Sequence, residues 1–312
     1  MDWRPPARAR DRVSRAGESA AELIEVRTST NVFALVAITL FAAIVNGGLG
    51  YGFSSITVPL ALLFLSNRVL NPALVLIEVA LNAWVLWVNR DALGVIWKRV
   101  LPIVIGLLPG VILGTMVVTS VSPAWLKLWT YLVLLPLILV QAAGFRRPIR
   151  SEKAIGLPFG LGLGVLYSVT TISGPPLAVL LNNQGLDKRE FRAALGFIRL
   201  AESSFTAVAY FSAGLITVQS NLLIPQILPS VLVGVPIGAA LIRRMRVETF
   251  RRICMSFDAW VVGFGVSTVF RELKIVPGPT AYLFLLSVIA IDIVLLYRFF
   301  SAHARVDLAK PT

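Results

Sequence analysis

Charged residues divide this chain into long apolar runs. None stands between Asn31 and Asn67, between Ile155 and Leu186, or between Ser203 and Ile242. Set against the charged gaps, the runs are 31–66, 71–89, 101–119, 125–143, 154–182, 192–213, 222–242, 253–270 and 279–299. About 20 apolar residues in a helix cross the hydrocarbon core. Lipid offers backbone polar groups no partner outside the segment, so open sheets are excluded. The pattern predicts an all-α polytopic integral membrane protein. Most runs suit one crossing. Two do not: a helix over 31–66 would be about 54 Å long, nearly twice the core thickness, and 154–182 is also too long.

Both overlong runs have helix-breaking centres. The first reads Asn46-Gly47-Gly48-Leu49-Gly50-Tyr51-Gly52-Phe53-Ser54-Ser55, then Pro59; the second reads Thr170-Thr171-Ile172-Ser173-Gly174-Pro175-Pro176. Glycine weakens a helix interior, and proline removes a donor and clashes with the preceding turn. Each run is expected to be two half-helices joined by unwound backbone. At membrane depth such backbone survives only where protein or a water-filled cavity surrounds it.

The breaks belong to an internal repeat. Pro59-Leu60-Ala61-Leu62-Leu63 matches Pro176-Leu177-Ala178-Val179-Leu180. Leu108 to Gly114 resembles Gly234 to Ala240, and Pro123 to Lys127 parallels Glu248 to Arg252, in the same order and at offsets of about 117–127 residues. Three matches in register point to duplication. The expected organisation is a basic arm over 1–30, a first repeat over 31–143, a linker over 144–153, a second repeat over 154–270 and an added helix over 279–299.

Composition and charge refine this picture. The chain is 57% hydrophobic and 14% charged, with a formal charge of +13. Soluble domains carry about 25% charged residues. The basic excess falls in the gaps between runs, which indicates membrane orientation rather than nucleic-acid binding. Arg90, Lys98 and Arg99 mark one loop as cytoplasmic, as do Arg146, Arg147, Arg150 and Lys153 in the linker. Lys188, Arg189 and Arg192 do so after the second break, and Arg243, Arg244, Arg246, Arg251 and Arg252 after 222–242. Stretches 120–124 and 214–221 carry no charge and read as outside. The two halves then have inverted topology, the plan of many secondary transporters. It requires each broken run to be a hairpin. A hairpin at 31–66 places the basic arm outside, against the positive-inside rule, and a single crossing there is the other option. The apolar run after the arm is too long for a signal-peptide h-region, so the arm is not expected to be cleaved. One cysteine, Cys254, and one histidine, His303, exclude an intramolecular disulfide, a thiolate metal cluster and a His-based centre in the spans. No cofactor and no metal are expected.

Candidate chemistry lies at the breaks and beside them. Half-helix N-termini present free N–H groups and a positive dipole end, which suit anions. Gly48, Gly50 and Gly52 let backbone approach a solute, and Ser54, Ser55, Thr170, Thr171, Ser173 and Gly174 add hydroxyls and a further bare N–H. Small residues also serve close helix packing, but two clusters in equivalent repeat positions favour a substrate path. Ionisable residues inside spans are costly and often functional. Glu78, with Asn82 one turn on, and Arg199, with Glu202 one turn on, lie in the two runs that follow the breaks. Arg199 is assigned to attract an anion, and Glu78 or Glu202 to carry a coupling proton; a packing ion pair between them is the structural alternative. Asp258, near a span end, and Asp292, in the added helix, are expected to face water or a neighbouring helix. Trp97, Trp125 and Trp129 mark interfacial belts.

The Gly47-Gly48-Leu49-Gly50-Tyr51-Gly52-Phe53-Ser54-Ser55 stretch through Pro59-Leu60, paired with Ser173-Gly174-Pro175-Pro176-Leu177, resembles the sulfite exporter TauE/SafE family over about residues 31–270. The resemblance implies a duplicated membrane domain in a bacterial inner-membrane permease for sulfite, sulfoacetate or related organosulfonates. It carries over to Gly47, Gly48, Gly50, Gly52, Ser54, Ser55, Pro59, Ser173, Gly174, Pro175 and Pro176. Members often show a Thr-Ser pair in the helix after each break. This chain has Leu76-Ile77-Glu78 and Gly196-Phe197-Ile198-Arg199 there, where substrate choice would be set. The expected function is a secondary transporter, exporting small anions, whose partners are that anion and the bilayer, with self-association a further option. A membrane scaffold without transport is the main alternative. A membrane enzyme acting on lipid-linked substrates is the second, and the scarcity of Asp and the absence of His from the spans weigh against it.

Overall fold

A computed structural model describes residues 31–48, 51–142, 152–182, 186, 188–241 and 247–308. The arm over 1–30, most of the linker and Gly50 lie outside the described residues. Those described are helical apart from short turns. Helix α1 spans Asn31–Gly48, α2 Phe53–Ala61, α3 Asn67–Val88, α4 Leu93–Ser120 and α5 Pro123–Ala142. The second half repeats this series with α6 Glu152–Thr170, α7 Gly174–Asn182, α8 Lys188–Ser212, α9 Val218–Leu241 and α10 Val247–Glu272, and α11 Leu283–Leu308 follows. Among the described residues, six helices are long and apolar enough to cross a bilayer: α1, α3, α4, α5, α9 and α11. Helices α8 and α10 have 25 and 26 residues, enough at 1.5 Å per residue to cross as well, but they carry the charged side chains. Both run further than their apolar cores, since α8 opens at Lys188 rather than 192, and α10 at Val247 rather than 253.

The two breaks fall where glycine, proline and hydroxyls cluster. The first separates Gly48 from Phe53, with Gly52 at φ 109°, a left-handed backbone that side-chain-bearing residues rarely adopt. The second separates Thr170 from Gly174, with Thr171 at φ 56°. Helices α2 and α7 are each nine residues long, about half a crossing.

Helix directions follow from side-chain register. On α4, Gly106 faces Leu157 and Leu161, Gly110 faces Leu161 and Gly164, and Gly114 faces Val165 and Ser168. Position numbers rise together, so α4 and α6 are parallel. On α9, Ser230 bonds the Val36 carbonyl, Gly234 faces Leu40 and Ala43, and Gly238 faces Ile44; α9 and α1 are parallel. Helix α3 is antiparallel to α8, because Glu78 meets Arg199 while Leu86 meets Gly196. It is antiparallel to α4, because Arg68 bonds the carbonyls of Val118, Thr119 and Val121. The turn at 213–217 likewise reverses the chain between α8 and α9. Hence α1 and α3 run the same way, and so do α6 and α8. The short helix between each pair must return. Both broken runs are therefore hairpins, and the single-crossing option for 31–66 is set aside.

Every helix of the second half runs opposite to its counterpart in the first, and the contacts are exchanged in step. Helix α1 packs on α9 as α6 packs on α4, α3 on α9 as α8 on α4, and α2 on α10 as α7 on α5. The glycines that permit these approaches are those of the second sequence match, Gly110 and Gly114 in α4 and Gly234 and Gly238 in α9. The outside is apolar, with Trp84, Trp87, Ile112, Phe211, Leu232 and Ile291 exposed, while polar side chains collect within. That distribution suits lipid as the solvent.

Helix α11 is held to α10 by a buried ion pair, Arg252 Nη2 to Asp292 Oδ1 at 2.8 Å. Trp260 Nε1 donates to Asp292 Oδ2 at 3.1 Å and Arg252 Nη1 to Ser256 Oγ at 3.1 Å. Asp292 thus faces a neighbouring helix, not water. Asp258 is also buried. It lies well inside α10 rather than near a span end, because that helix begins earlier than its apolar run.

Candidate functional site

The two breaks meet inside the bundle. Tyr51, in the first, packs so closely on Gly174 that an added Cβ there would stand 3.3 Å from the ring. Asn71 Nδ2 in α3 donates to the Val169 carbonyl at 2.8 Å, tying the first half to the end of α6. Buried polar side chains in the breaks and on the helices beside them include Asn46, Ser54, Ser55, Thr57, Glu78, Asn82, Thr170, Thr171, Ser173, Arg199, Glu202 and Thr206.

Each short helix begins with a hydroxyl aimed at a glutamate of the helix that follows. In α2, Gly52 accepts the first helical bond from Ile56 N–H, and Ser54 sits in the first turn. Its Oγ donates to Glu78 Oε1 at 2.5 Å. In α7, Ser173 takes the capping position, its carbonyl accepting from Leu177 N–H. Its Oγ donates to Glu202 Oε2. The half-helix N-termini, with their positive dipole ends, are thus each set beside a carboxyl belonging to the protein.

The two glutamates differ in their remaining partners. Glu78 is saturated: Oε1 also accepts from Arg199 Nη2 at 2.8 Å, and Oε2 accepts from the Tyr167 hydroxyl at 2.6 Å. Three donors and an opposite charge fix it in place. Glu202 keeps Oε1 without a partner, although the residue is fully buried, and Arg199 keeps Nε without one. Glu202 and Arg199 are three residues apart on α8 and so share a face. A free acceptor and a free N–H are thus buried one helical turn apart on α8, next to the two breaks. Buried polar atoms are normally satisfied, so two open atoms this close to the breaks call for a partner that the protein itself does not supply.

The other sequence-predicted residues have local roles. Asn82 Nδ2 lies 3.4 Å from the Arg199 carbonyl and ties α3 to α8. Thr170 Oγ1 donates to the Leu166 carbonyl at 2.7 Å and accepts from Ile172 N–H at 3.0 Å, which holds the unwound turn. Thr171 Oγ1 donates to the Thr170 carbonyl at 2.7 Å. Gly48 is buried, and Gly47 abuts the Val235 carbonyl. Ser55 is buried in the first turn of α2. Tyr167 was not singled out from the sequence, although it holds Glu78. It lies three residues before the second break, in an apolar stretch where one tyrosine gives no signal. Thr57, a hydroxyl of the first break in the sequence as well, and Thr206 have buried, unpartnered hydroxyls; Thr206 was not singled out, and its one available signal is a hydroxyl one helical turn from Glu202.

No curated protein and no solved structure matches the chain. The family model for the sulfite exporter TauE/SafE matches residues 35–264. That stretch includes both broken hairpins and the glutamate–arginine cluster between them, and the chain belongs to the sulfite exporter TauE/SafE family.

Proposed function

We propose that this protein is a secondary transporter that exports small sulfur-containing anions, sulfite or organosulfonates, across the bacterial inner membrane, and that it is not an enzyme. The observation that carries the reading is that Arg199 Nε and Glu202 Oε1, one turn apart on α8 and beside the breaks, are both buried and unpartnered. A guanidinium with an unused N–H offers an oxyanion both charge and a directed hydrogen bond. Unwound backbone at the same place supplies further donors. Inverted halves give two equivalent hairpins whose rocking exposes one site to either side in turn. Family membership supports transport of sulfite or related sulfur compounds; the departures from the common Thr-Ser pattern, at Glu78 and Arg199, sit where substrate choice would be set.

The test is flux of labelled sulfite, thiosulfate and sulfoacetate in proteoliposomes, with R199Q and the S54A/S173A pair. Anion movement abolished by R199Q supports the site. Flux unchanged by both replacements sinks it. The Arg199–Glu78 ion pair also favours the scaffold reading, in which buried charges serve only to fix packing. Under that reading no anion moves in the unaltered protein.

A further inference from the structure

We propose that Glu202 is the proton carrier of this transporter and Glu78 its permanent counter-ion, so that one proton accompanies each anion. The inference rests on the transporter reading and deepens it by naming the coupled ion and its residue.

The asymmetry between the two carboxyls carries the argument. Three donors from three different helices hold Glu78: Ser54 of α2, Tyr167 of α6 and Arg199 of α8. Protonating it would discard an ion pair and force the Ser54 or Tyr167 hydroxyl to change from donor to acceptor. Glu202 has one donor, Ser173, on Oε2. Its Oε1 is open and can hold a hydrogen without displacing any existing bond. One guanidinium stands against two carboxyls, and a buried trio of that kind is neutral only with one proton aboard.

The groups facing Glu202 are few. Helix α3 contributes Glu78, α6 contributes Tyr167, and α8 itself contributes Arg199 and, two turns on, Tyr210, whose hydroxyl donates to the Ser168 carbonyl. The sequence of α7 holds no titratable side chain. Helix α4 has only Lys98 and Arg99, exposed in its opening turns, and the turn before it has Arg90 and Asp91. Glu202 is the member of this set with an unoccupied oxygen.

The two forms of Glu202 then do opposite things. Protonated, its Oε1–H and the Arg199 Nε–H are two donors on one face, suited to two oxygens of one anion. Ionised, the carboxylate repels an anion and competes for the guanidinium. Anion loading and proton uptake therefore favour each other. On release the Oε1–H proton passes to water on the side then open, and the next is taken from water on the side where loading occurs. A doubly charged anion with one proton carries a single net negative charge, so an interior-negative membrane potential favours its exit.

The test uses full-length protein in liposomes loaded with the dye pyranine, with the membrane potential clamped by valinomycin and potassium. Labelled sulfite and sulfoacetate gradients are imposed in turn. Wild type is expected to move about one proton per anion after subtraction of protein-free liposomes. E202Q, an isostere fixed in the neutral form, exchanges anion for anion, loses the pH dependence of exchange and moves about zero protons per anion. S173A keeps the carboxyl but removes its donor, so it retains proton coupling while the pH midpoint of transport shifts upward. Proton movement in E202Q equal to wild type overturns the inference and leaves the transporter reading intact. Loss of all anion exchange in folded E202Q overturns it also, since glutamine keeps an N–H donor where the neutral carboxyl has its O–H and removes only the titration. Absence of any anion flux in wild type overturns the transporter reading, and this inference with it.

Discussion

Arg199 and Glu78 come from opposite halves of the chain, and their ion pair at 2.8 Å joins two antiparallel helices at the depth of both breaks. Arg199 is 3% exposed and Glu78 0%, so neither charge is screened by water. Removing one partner from such a pair typically costs about 3–5 kcal/mol, because the other is left uncompensated, while replacing both with apolar groups is often neutral. R199Q and E78Q are each expected to lower the thermal midpoint in detergent and to abolish anion flux. The double replacement R199M/E78M is expected to recover the midpoint but not the flux. Thermal shift and proteoliposome flux on the same preparations check this. A double variant that transports would assign the pair to packing alone.

The same glycines that reveal the duplication set how close the halves come. A Cβ on Gly238 would lie 1.8 Å from the Ile44 carbonyl oxygen, and one on Gly106 2.2 Å from that of Leu157. Neither backbone can retreat without moving its helix. G238A and G106A are expected to cost about 1–3 kcal/mol or more through overpacking. Gly94 and Gly162 lie in helices too, with nothing within 4 Å. There alanine is expected to stabilise by up to about 1 kcal/mol, the difference in helix propensity. Thermal midpoints of the four variants should split into two pairs by this rule.

Much of the fold was legible because lipid imposes strict conditions on sequence. A charge-free run too long for one crossing must bend, and glycine, proline and hydroxyls show where. That logic placed the breaks at Gly48–Phe53 and Thr170–Gly174 to within a few residues. The hairpin at 31–66 was not decidable, since the arm's arginines and the loop charges pointed opposite ways; helix register decided it. Candidate site residues were readable as types rather than as partners. Glu78 and Arg199 stood out because a charge inside a span is costly. Nothing in the spacing told that Ser54 and Ser173 would each face a glutamate of the following helix, or that Tyr167 would complete the shell of Glu78. Such partnerships depend on the crossing of helices far apart in sequence. Asp258 was misplaced because α10 continues past the end of its apolar run, through Arg251 and Arg252, where periodicity gives way to charge.

Helix α11 lies outside the stretch that defines the family and is fastened through one buried pair. D292N would leave the Arg252 guanidinium inside the protein with Ser256 and the residue-292 carbonyl as its neighbours. The expected cost is about 3–5 kcal/mol, read as a lower thermal midpoint. Anion flux per folded molecule should match wild type, because the pair is made by α10 and α11 and not by the residues at the breaks. Reduced flux at unchanged folded fraction would instead join α11 to the transport cycle.

Helix directions put Arg90 and Asp91 at one end of the bundle, and Arg271, Glu272 and Lys274 at the other. The first end also carries Lys98 and Arg99 at the start of α4 and Arg192 at the start of α8, and in sequence the short connections between α5 and α6 and between α9 and α10 add Arg146, Arg147, Arg150, Arg243, Arg244 and Arg246 to the count that the positive-inside rule uses. It should face the cytoplasm. The start of α1 at Asn31 is then at the opposite end; the sequence before it holds six arginines but also Asp2, Asp11, Glu18, Glu22 and Glu25, a net charge of 6 − 5 = +1. The rule counts basic residues rather than net charge, so the arm opposes it, yet it is outnumbered by the basic connections of the other end. Single cysteines test this in a C254A background. Both Asp91 and Glu272 are exposed. In intact spheroplasts a membrane-impermeant maleimide is expected to label E272C at once, and D91C only after permeabilisation. The reverse pattern would mean that the chain inserts the other way up, with the arm's arginines outweighing the connections.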